Sequence, residues 1–93
     1  MPHVYIVRCA NGELYVGMTD NVDERMRAHN DGRACLFTAK RRPITLVWSE
    51  LAIDIPSAIA RERQIKRWTR AKKEALISGE LDWLRRLSQR RRW

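Results

Sequence analysis

The fold of this chain is decided by residues 3–19, which read HVYIVRCANGELYVGMT. Both ends of this stretch are rich in β-branched and aromatic residues, so we expect strands over His3–Cys9 and Leu14–Met18. The segment 10–12 between them reads Ala-Asn-Gly, which is a strong signal for a β-hairpin. Residues 3–19 therefore predict two antiparallel strands joined by a tight turn.

The length of the hairpin loop decides which side chains share a face. A two-residue Asn-Gly turn would place Tyr5 and Tyr15 on opposite faces, because side chains alternate along a strand. A three-residue loop, with Gly12 left-handed in a bulge, places both tyrosines on one face together with Gly17 and Thr19. Apolar patterning favours neither register. We predict the three-residue loop because a joint role for the tyrosines requires it.

The remaining elements follow from capping and turn signals. Asn21 and Glu24 resemble a capping box, and Gly32 is a stop signal. The expected elements are a helix over 22–30, a basic loop over 31–43, a strand over 44–51, helices over about 55–68 and 70–78, and a last turn or helix over 81–87. The order β-β-α-β-α-α predicts an α/β (α+β) fold, with a small three-stranded, mainly antiparallel sheet flanked by helices.

Charge is concentrated in one third of the chain. The formal net charge is +8, and residues 61–93 carry the whole excess, because the acidic and basic side chains of residues 1–60 balance. Such asymmetry favours a polyanionic partner, most simply nucleic acid. The alternatives are a solvated helical face with a basic tail at residues 90–93, and, less favoured, a membrane-surface helix.

Other compositional signals narrow the class of protein. No apolar stretch approaches the roughly 20 residues that span a bilayer, and the first residues do not resemble a signal peptide. We therefore expect a cytoplasmic protein with no membrane association. Cys9 and Cys35 are the only cysteines, and we expect them to be reduced. Neither they nor the two histidines show a familiar zinc spacing.

Glu62 interrupts an otherwise apolar helical stripe. The stripe contains positions 55, 58, 59, 62, 65 and 69 of the second long helix. An inward carboxylate requires a cation or hydrogen bonds. One interpretation is a salt bridge with Lys66 at i,i+4, and the other is a ligand for a divalent metal.

Three further groups have both a structural and a functional interpretation. Arg25 and His29 share a helix face at i,i+4, where they could contact a phosphate or serve as an edge-of-core pair. Tyr5 and Tyr15 could be ordinary strand residues that fill the core. Gly17 within a strand indicates close approach by a ligand or another part of the chain.

Taken together, the segments Val4-Tyr5-Ile6 and Tyr15-Val16-Gly17 and the residues after them resemble the GIY-YIG nucleases. The resemblance runs from about residue 4 to residue 77. It departs from the family at Val4, where relatives have Gly, and at Met18, where many have Lys. Some relatives also have an Asn after the metal-binding Glu, and Glu74 lies near that spacing here.

The resemblance implies specific roles. Tyr15 would be the general base or water-orienting group with Tyr5 as its partner, and Arg25 would stabilise charge on the scissile phosphate. Glu62 would hold a single Mg²⁺ or Mn²⁺ ion, and His29 would assist by contacting a phosphate oxygen or passing a proton. Gly17 and Thr19 would be structural residues of the site. The expected nucleic-acid-binding residues are Lys40, Arg41, Arg42, Arg63, Lys66, Arg67, Arg70, Lys72 and Lys73.

These observations predict a metal-dependent endonuclease that hydrolyses phosphodiester bonds in DNA, in repair or recombination. A catalytically inactive nucleic-acid-binding module on the same fold is the alternative, and a protein that recruits a repair factor is a third. Residues 1–80 would form the nuclease domain and residues 81–93 a basic extension of it. Specificity could come from a protein partner, and RNA remains an alternative substrate.

Overall fold

The computed structural model describes residues 1–79 and contains one sheet and four helices. The elements in chain order are β1 (His3–Arg8), β2 (Leu14–Thr19), α1 (Val22–Asn30), α2 (Leu36–Ala39), β3 (Thr45–Leu51), α3 (Ile55–Lys66) and α4 (Arg70–Ser78). The sheet order is β2-β1-β3, and β1 is antiparallel to both neighbours. The expected α+β fold and three-stranded antiparallel sheet are confirmed.

The β1–β2 hairpin has the three-residue loop that the sequence analysis predicts. Cys9 and Glu13 are joined by a backbone hydrogen bond, and Gly12 has φ +90°. Tyr5 consequently lies opposite Gly17, and Val7 lies opposite Tyr15. Both tyrosines thus share one face of the ribbon.

Each face of the sheet has its own apolar cluster. On one face Val4, Ile6 and Val16 pack with Ala58, Ile65 and Trp68 from α3 and the residues that follow it. On the other face the buried residues are Tyr5, Val7, Cys9 and Ile44, with Tyr15, Met26 and Phe37 packed against them. The second cluster lies under α1 and α2, and it carries the candidate site.

The structure corrects two details of the expected helices. The loop expected over 31–43 contains the short helix α2. The inward stripe on α3 is confirmed at Ala58 and Ile65, which are buried, and is wrong at Ile55 and Ile59, which are exposed. Trp68, which follows α3, packs in the same cluster as Ala58 and Ile65, where its large aromatic ring buries much apolar area.

Several expectations fall on residues that the structure does not describe. They are the turn or helix over 81–87, the basic tail at 90–93 and the extension over 81–93. Within residues 1–79, no helix is both long enough and apolar enough to cross a bilayer. Cys9 and Cys35 are free thiols.

Candidate active site

Tyr5 lies directly over Gly17 on the neighbouring strand. A Cβ atom built on Gly17 would lie 2.5 Å from the Tyr5 hydroxyl oxygen and 2.7 Å from its Cζ atom. Both distances are far below van der Waals contact, so only glycine fits opposite the ring. The close approach expected at Gly17 is therefore made by the Tyr5 side chain.

The hydroxyl of Tyr5 lies in a buried polar network. It is 2.8 Å from Nε2 of His29, and Nδ1 of His29 is 2.8 Å from the Thr38 hydroxyl. Tyr5 and His29 are each 1% exposed, and Thr38 is fully buried. Both ring nitrogens of His29 therefore have protein partners. A direct hydrogen bond from His29 to a phosphate would require one of these bonds to break.

Tyr15 is less buried than Tyr5 and borders the same network. Its ring stacks on Phe37 with centroids 5.8 Å apart and meets the edge of His29 at 5.6 Å. Burial, aided by a hydrogen bond with Cys35 and by the charge of Glu62, raises the pKa of Tyr15 to about 12. Arg25 opposes this shift without reversing it. Tyr15 is consequently protonated at neutral pH.

Arg25 lines a polar cleft formed by the end of β2, by α1 and by the segment that follows α1. The cleft has a volume of about 430 Å³, and its walls include Thr19, Asn21, Glu24 and Arg33. Among residues 1–79, no other side chain forms a hydrogen bond or ion pair with the Arg25 guanidinium. The Thr19 hydroxyl contacts the backbone of Asn21 at the start of α1. Arg25 thus presents a planar, permanently charged fork to the cleft.

Glu62 is partly buried, and its side chain is 19% exposed. Its Oε1 atom is 2.9 Å from Nζ of Lys66, so the i,i+4 salt bridge is present. Its negative charge also raises the pKa of both Tyr5 and Tyr15, although burial is the larger cause in each case.

A metal ion at this site would have one protein carboxylate as its ligand. Residues 1–79 contain no group of three or more His, Cys, Asp or Glu side chains that could hold an ion. Mg²⁺ commonly binds to one or two carboxylates and completes its shell with waters and substrate phosphates. The carboxylate oxygens of Glu62 are hard ligands and fit that pattern, provided that the salt bridge between Glu62 and Lys66 breaks when the ion binds.

The expected nucleic-acid-binding residues divide by exposure. Lys40, Arg42, Arg63, Lys66, Arg67 and Arg70 are exposed, and Arg41 and Lys73 are partly exposed. Lys72 is only 6% exposed, and its ammonium lies 4.5 Å from the centroid of the Trp68 ring. Lys72 is therefore far less accessible to a nucleic acid than the other eight residues, because its ammonium faces an aromatic ring of the protein.

Comparison with known proteins bears on the same residues. The sequence profile of the GIY-YIG catalytic domain matches residues 1–75, which include all five candidate catalytic and metal-binding residues. This chain belongs to the GIY-YIG family. Its hairpin carries Tyr5 and Tyr15 on one face, and Tyr5 packs over Gly17.

Individual GIY-YIG relatives are small proteins of similar length. A UPF0213 protein from Staphylococcus aureus is 43% identical over 74 residues, which is 80% of this chain and 90% of that protein. One from Staphylococcus saprophyticus is 40% identical over 76 residues and covers 82% of this chain and 93% of its own length. The NMR structure of a UPF0213 protein from Bacillus halodurans is 35% identical, with a TM-score of 0.55 over 84% of each chain.

Sequence reasoning misses Thr38, Cys35 and Phe37, which all contact the tyrosine–histidine network. The three residues lie in or beside the unexpected helix α2. Isolated Thr, Cys and Phe residues in a loop form no sequence pattern that predicts these contacts, because their partners are distant in sequence. The short apolar run Cys35-Leu36-Phe37 within an otherwise polar segment is the signal that could have indicated a packed turn.

Proposed function

We propose that this GIY-YIG protein is a metal-dependent endonuclease that hydrolyses phosphodiester bonds in DNA. The observation that carries this proposal is that the hairpin places Tyr5 and Tyr15 on one face, where both rings meet the edge of His29. The charges of Arg25 and Glu62 also influence the pKa of both phenols. Membership of a family of catalytic domains supports assigning this arrangement to catalysis.

The roles of the residues follow from their exposure and charge. Tyr15 retains its proton at neutral pH, so its hydroxyl is better suited to orienting a water molecule than to removing a proton. Arg25 would bind the scissile phosphate and offset the negative charge that develops there. Tyr5 and His29 are buried, so they would position the site without touching the substrate.

Glu62 would hold one Mg²⁺ or Mn²⁺ ion after releasing Lys66. Such an ion supplies Lewis-acid stabilisation to a phosphoryl oxygen. Lys66 would then be free to contact the nucleic-acid backbone. The expected partner is DNA, contacted through the exposed basic side chains of α3 and of the segment between α1 and β3. A cytoplasmic location, a role in repair or recombination and a protein partner that adds specificity belong to the same proposal.

Cleavage of a labelled panel of DNA substrates tests the proposal. The panel contains duplex, flap, four-way-junction and single-stranded DNA, each incubated with Mg²⁺, with Mn²⁺ and with chelator. Glu62→Gln should abolish cutting and keep most DNA binding. The matched control is Glu50→Gln, which removes the carboxylate of a different ion pair, with Arg61. This control should cut like the wild type.

The inactive binding module remains the alternative because the salt bridge between Glu62 and Lys66 satisfies the carboxylate without a metal. That function predicts salt-sensitive binding by both the wild type and Glu62→Gln, and no metal-dependent cleavage by either. Cleavage that survives Glu62→Gln would instead indicate that Glu62 is not the metal ligand.

A further inference from the structure

A chain of hydrogen bonds runs from Tyr5 through His29 to Thr38, a residue that the family resemblance does not identify. Tyr5 contacts His29, and His29 contacts Thr38, at 2.8 Å in each case. The Thr38 hydroxyl is also 3.3 Å from Sγ of Cys35, and the ring of Tyr15 meets the edge of His29. Thr38 therefore ends a buried hydrogen-bonded chain that begins at Tyr5, and the imidazole in the middle of that chain borders Tyr15.

The protons in this chain can be assigned from the available partners. Among the described residues, His29 is the one hydrogen-bond partner of the buried Tyr5 hydroxyl. A buried hydroxyl proton needs an acceptor, so Tyr5 must donate to Nε2 of His29. A neutral imidazole carries one proton, which must then lie on Nδ1.

Thr38 completes this assignment. Its Oγ1 atom accepts the Nδ1 proton of His29, and its own proton can be donated to the backbone carbonyl of Cys35 at 3.4 Å. The opposite arrangement would put a proton on Nε2 and leave the Tyr5 proton without an acceptor in the described part of the chain. Each donor has an acceptor in the first arrangement alone.

We infer that Thr38 is a positioning residue, which accepts the Nδ1 proton of His29 and so holds the imidazole with Nε2 available to the Tyr5 hydroxyl. The catalytic part of this inference rests on the proposed nuclease function. The ring of His29 meets the rings of both tyrosines edge-on, at centroid distances of 5.7 and 5.6 Å. Holding the imidazole in place therefore also holds Tyr15, which borders the substrate side of the network.

Under this inference, the short helix α2 positions the side chains of the site. It spans only four residues, Leu36–Ala39, and Thr38 is its one buried residue. Phe37 on the same helix stacks on Tyr15. Helix α2 thus contacts His29 through one side chain and Tyr15 through the adjacent one, and it acts as a support beneath the site.

Nitrogen-15 NMR of the histidine rings tests the tautomer directly and does not depend on nuclease activity. The chain has two histidines, so His3 serves as an internal reference. The wild-type protein should show His29 as the Nδ1–H tautomer. Thr38→Val should lose that tautomer or mix it with the other, whereas Thr38→Ser should keep it. A wild-type spectrum of the Nε2–H tautomer would overturn the inference even if no variant folds.

Kinetics test the catalytic consequence. Thr38→Val should lower kcat roughly tenfold or more, the scale typical of residues that orient a group at a site, with KM for DNA unchanged. Thr38→Ser should restore kcat. Thr45→Val, the same change at an exposed strand position, is the matched control and should have no effect. If Thr38→Val shifts the tautomer and leaves kcat unchanged, Thr38 does not position the reaction.

The two failures are distinguishable. A wild-type protein that cuts no substrate would contradict the proposed function, whereas the tautomer of His29 would still be measurable. A wild-type protein that cuts DNA with His29 as the Nε2–H tautomer would contradict only the role of Thr38.

Discussion

At the scale of single residues, the packing of Tyr5 on Gly17 is the tightest constraint in the site. We predict that Gly17→Ala destabilises the protein by about 1–3 kcal/mol, the usual cost of forcing extra volume into a packed core. The added methyl would overlap the Tyr5 ring, which is buried and cannot move into solvent. Urea denaturation of the wild type and the variant measures the change in the free energy of unfolding.

A double-mutant cycle shows whether the ring causes this cost. Tyr5→Leu removes the ring, so Gly17→Ala should cost much less in that background than in the wild type. An equal cost in both backgrounds would mean that the strand itself, not Tyr5, excludes alanine.

The two buried tyrosines should make the folded state less stable at high pH. Burial raises the pKa of both above the value of about 10 of a free phenol, and the pKa of Tyr15 is about 12. Because the folded state holds these protons more tightly than the unfolded state, their contribution to stability is fully present below pH 10. The contribution of Tyr15 is lost as the pH rises from 10 through 12, and that of Tyr5 is lost at still higher pH.

Absorbance at 295 nm measures this prediction, because the chain has only two tyrosines. The urea-unfolded chain should titrate near pH 10, whereas the native chain should show little tyrosinate until a clearly higher pH. Tyr15→Phe should reduce the loss of stability above pH 10. A native titration that reaches half of its amplitude near pH 10 would show that one phenol is solvated.

At the scale of elements, helix α1 positions both Arg25 and His29, and its N-terminus is capped by Asn21. The Asn21 side chain accepts a hydrogen bond from the backbone N–H of Glu24 at 3.0 Å. We predict that Asn21→Ala destabilises the protein by about 1 kcal/mol, the typical cost of losing a cap. Asn21→Asp keeps an acceptor at the same place and should retain most of the stability. Thermal and urea unfolding of both variants distinguish a lost cap from a general effect of changing this position.

The elements also show what a sequence can predict. The hairpin register could be predicted because Gly12 allows a left-handed residue and because strand alternation then determines both faces. The exposed edge of the α3 stripe could not be predicted. Ile55, Ile59 and Ile65 look equivalent in a helical pattern, and only packing against the sheet shows that Ile65 is buried while the other two are exposed. Helix α2 was missed because its contacts with Tyr15 and His29 join residues far apart in sequence.

The same limit applies to the site. A helical stripe predicts that Glu62 is partly buried, and i,i+4 spacing predicts its salt bridge with Lys66, but neither indicates that its charge influences the pKa of Tyr5 and Tyr15. The sequence also did not indicate the burial of Lys72. A basic residue in a basic segment was expected to bind nucleic acid. Its burial against Trp68 depends on how α4 follows α3.

At the scale of the whole molecule, the excess of positive charge should control binding to nucleic acid. Each phosphate contact that a basic side chain makes releases counterions, and contributes about 0.9 to the slope of log affinity against log salt. Arg63 is exposed on α3, whereas the ammonium of Lys72 is buried against Trp68. We therefore predict that Arg63→Gln reduces the slope by roughly 0.9, and that Lys72→Met leaves the slope unchanged.

Fluorescence anisotropy of a labelled DNA duplex over a range of salt concentrations measures both slopes, with binding compared only among variants that remain folded. Lys72→Met is the matched control, because it removes one positive charge from the same basic segment. Equal reductions in the two slopes would mean that net charge, not contact, determines affinity. If neither Arg63→Gln nor Lys40→Gln changes the slope, the phosphate contacts lie outside α3 and outside the segment between α1 and β3. The basic residues beyond position 79 would then be the next to replace.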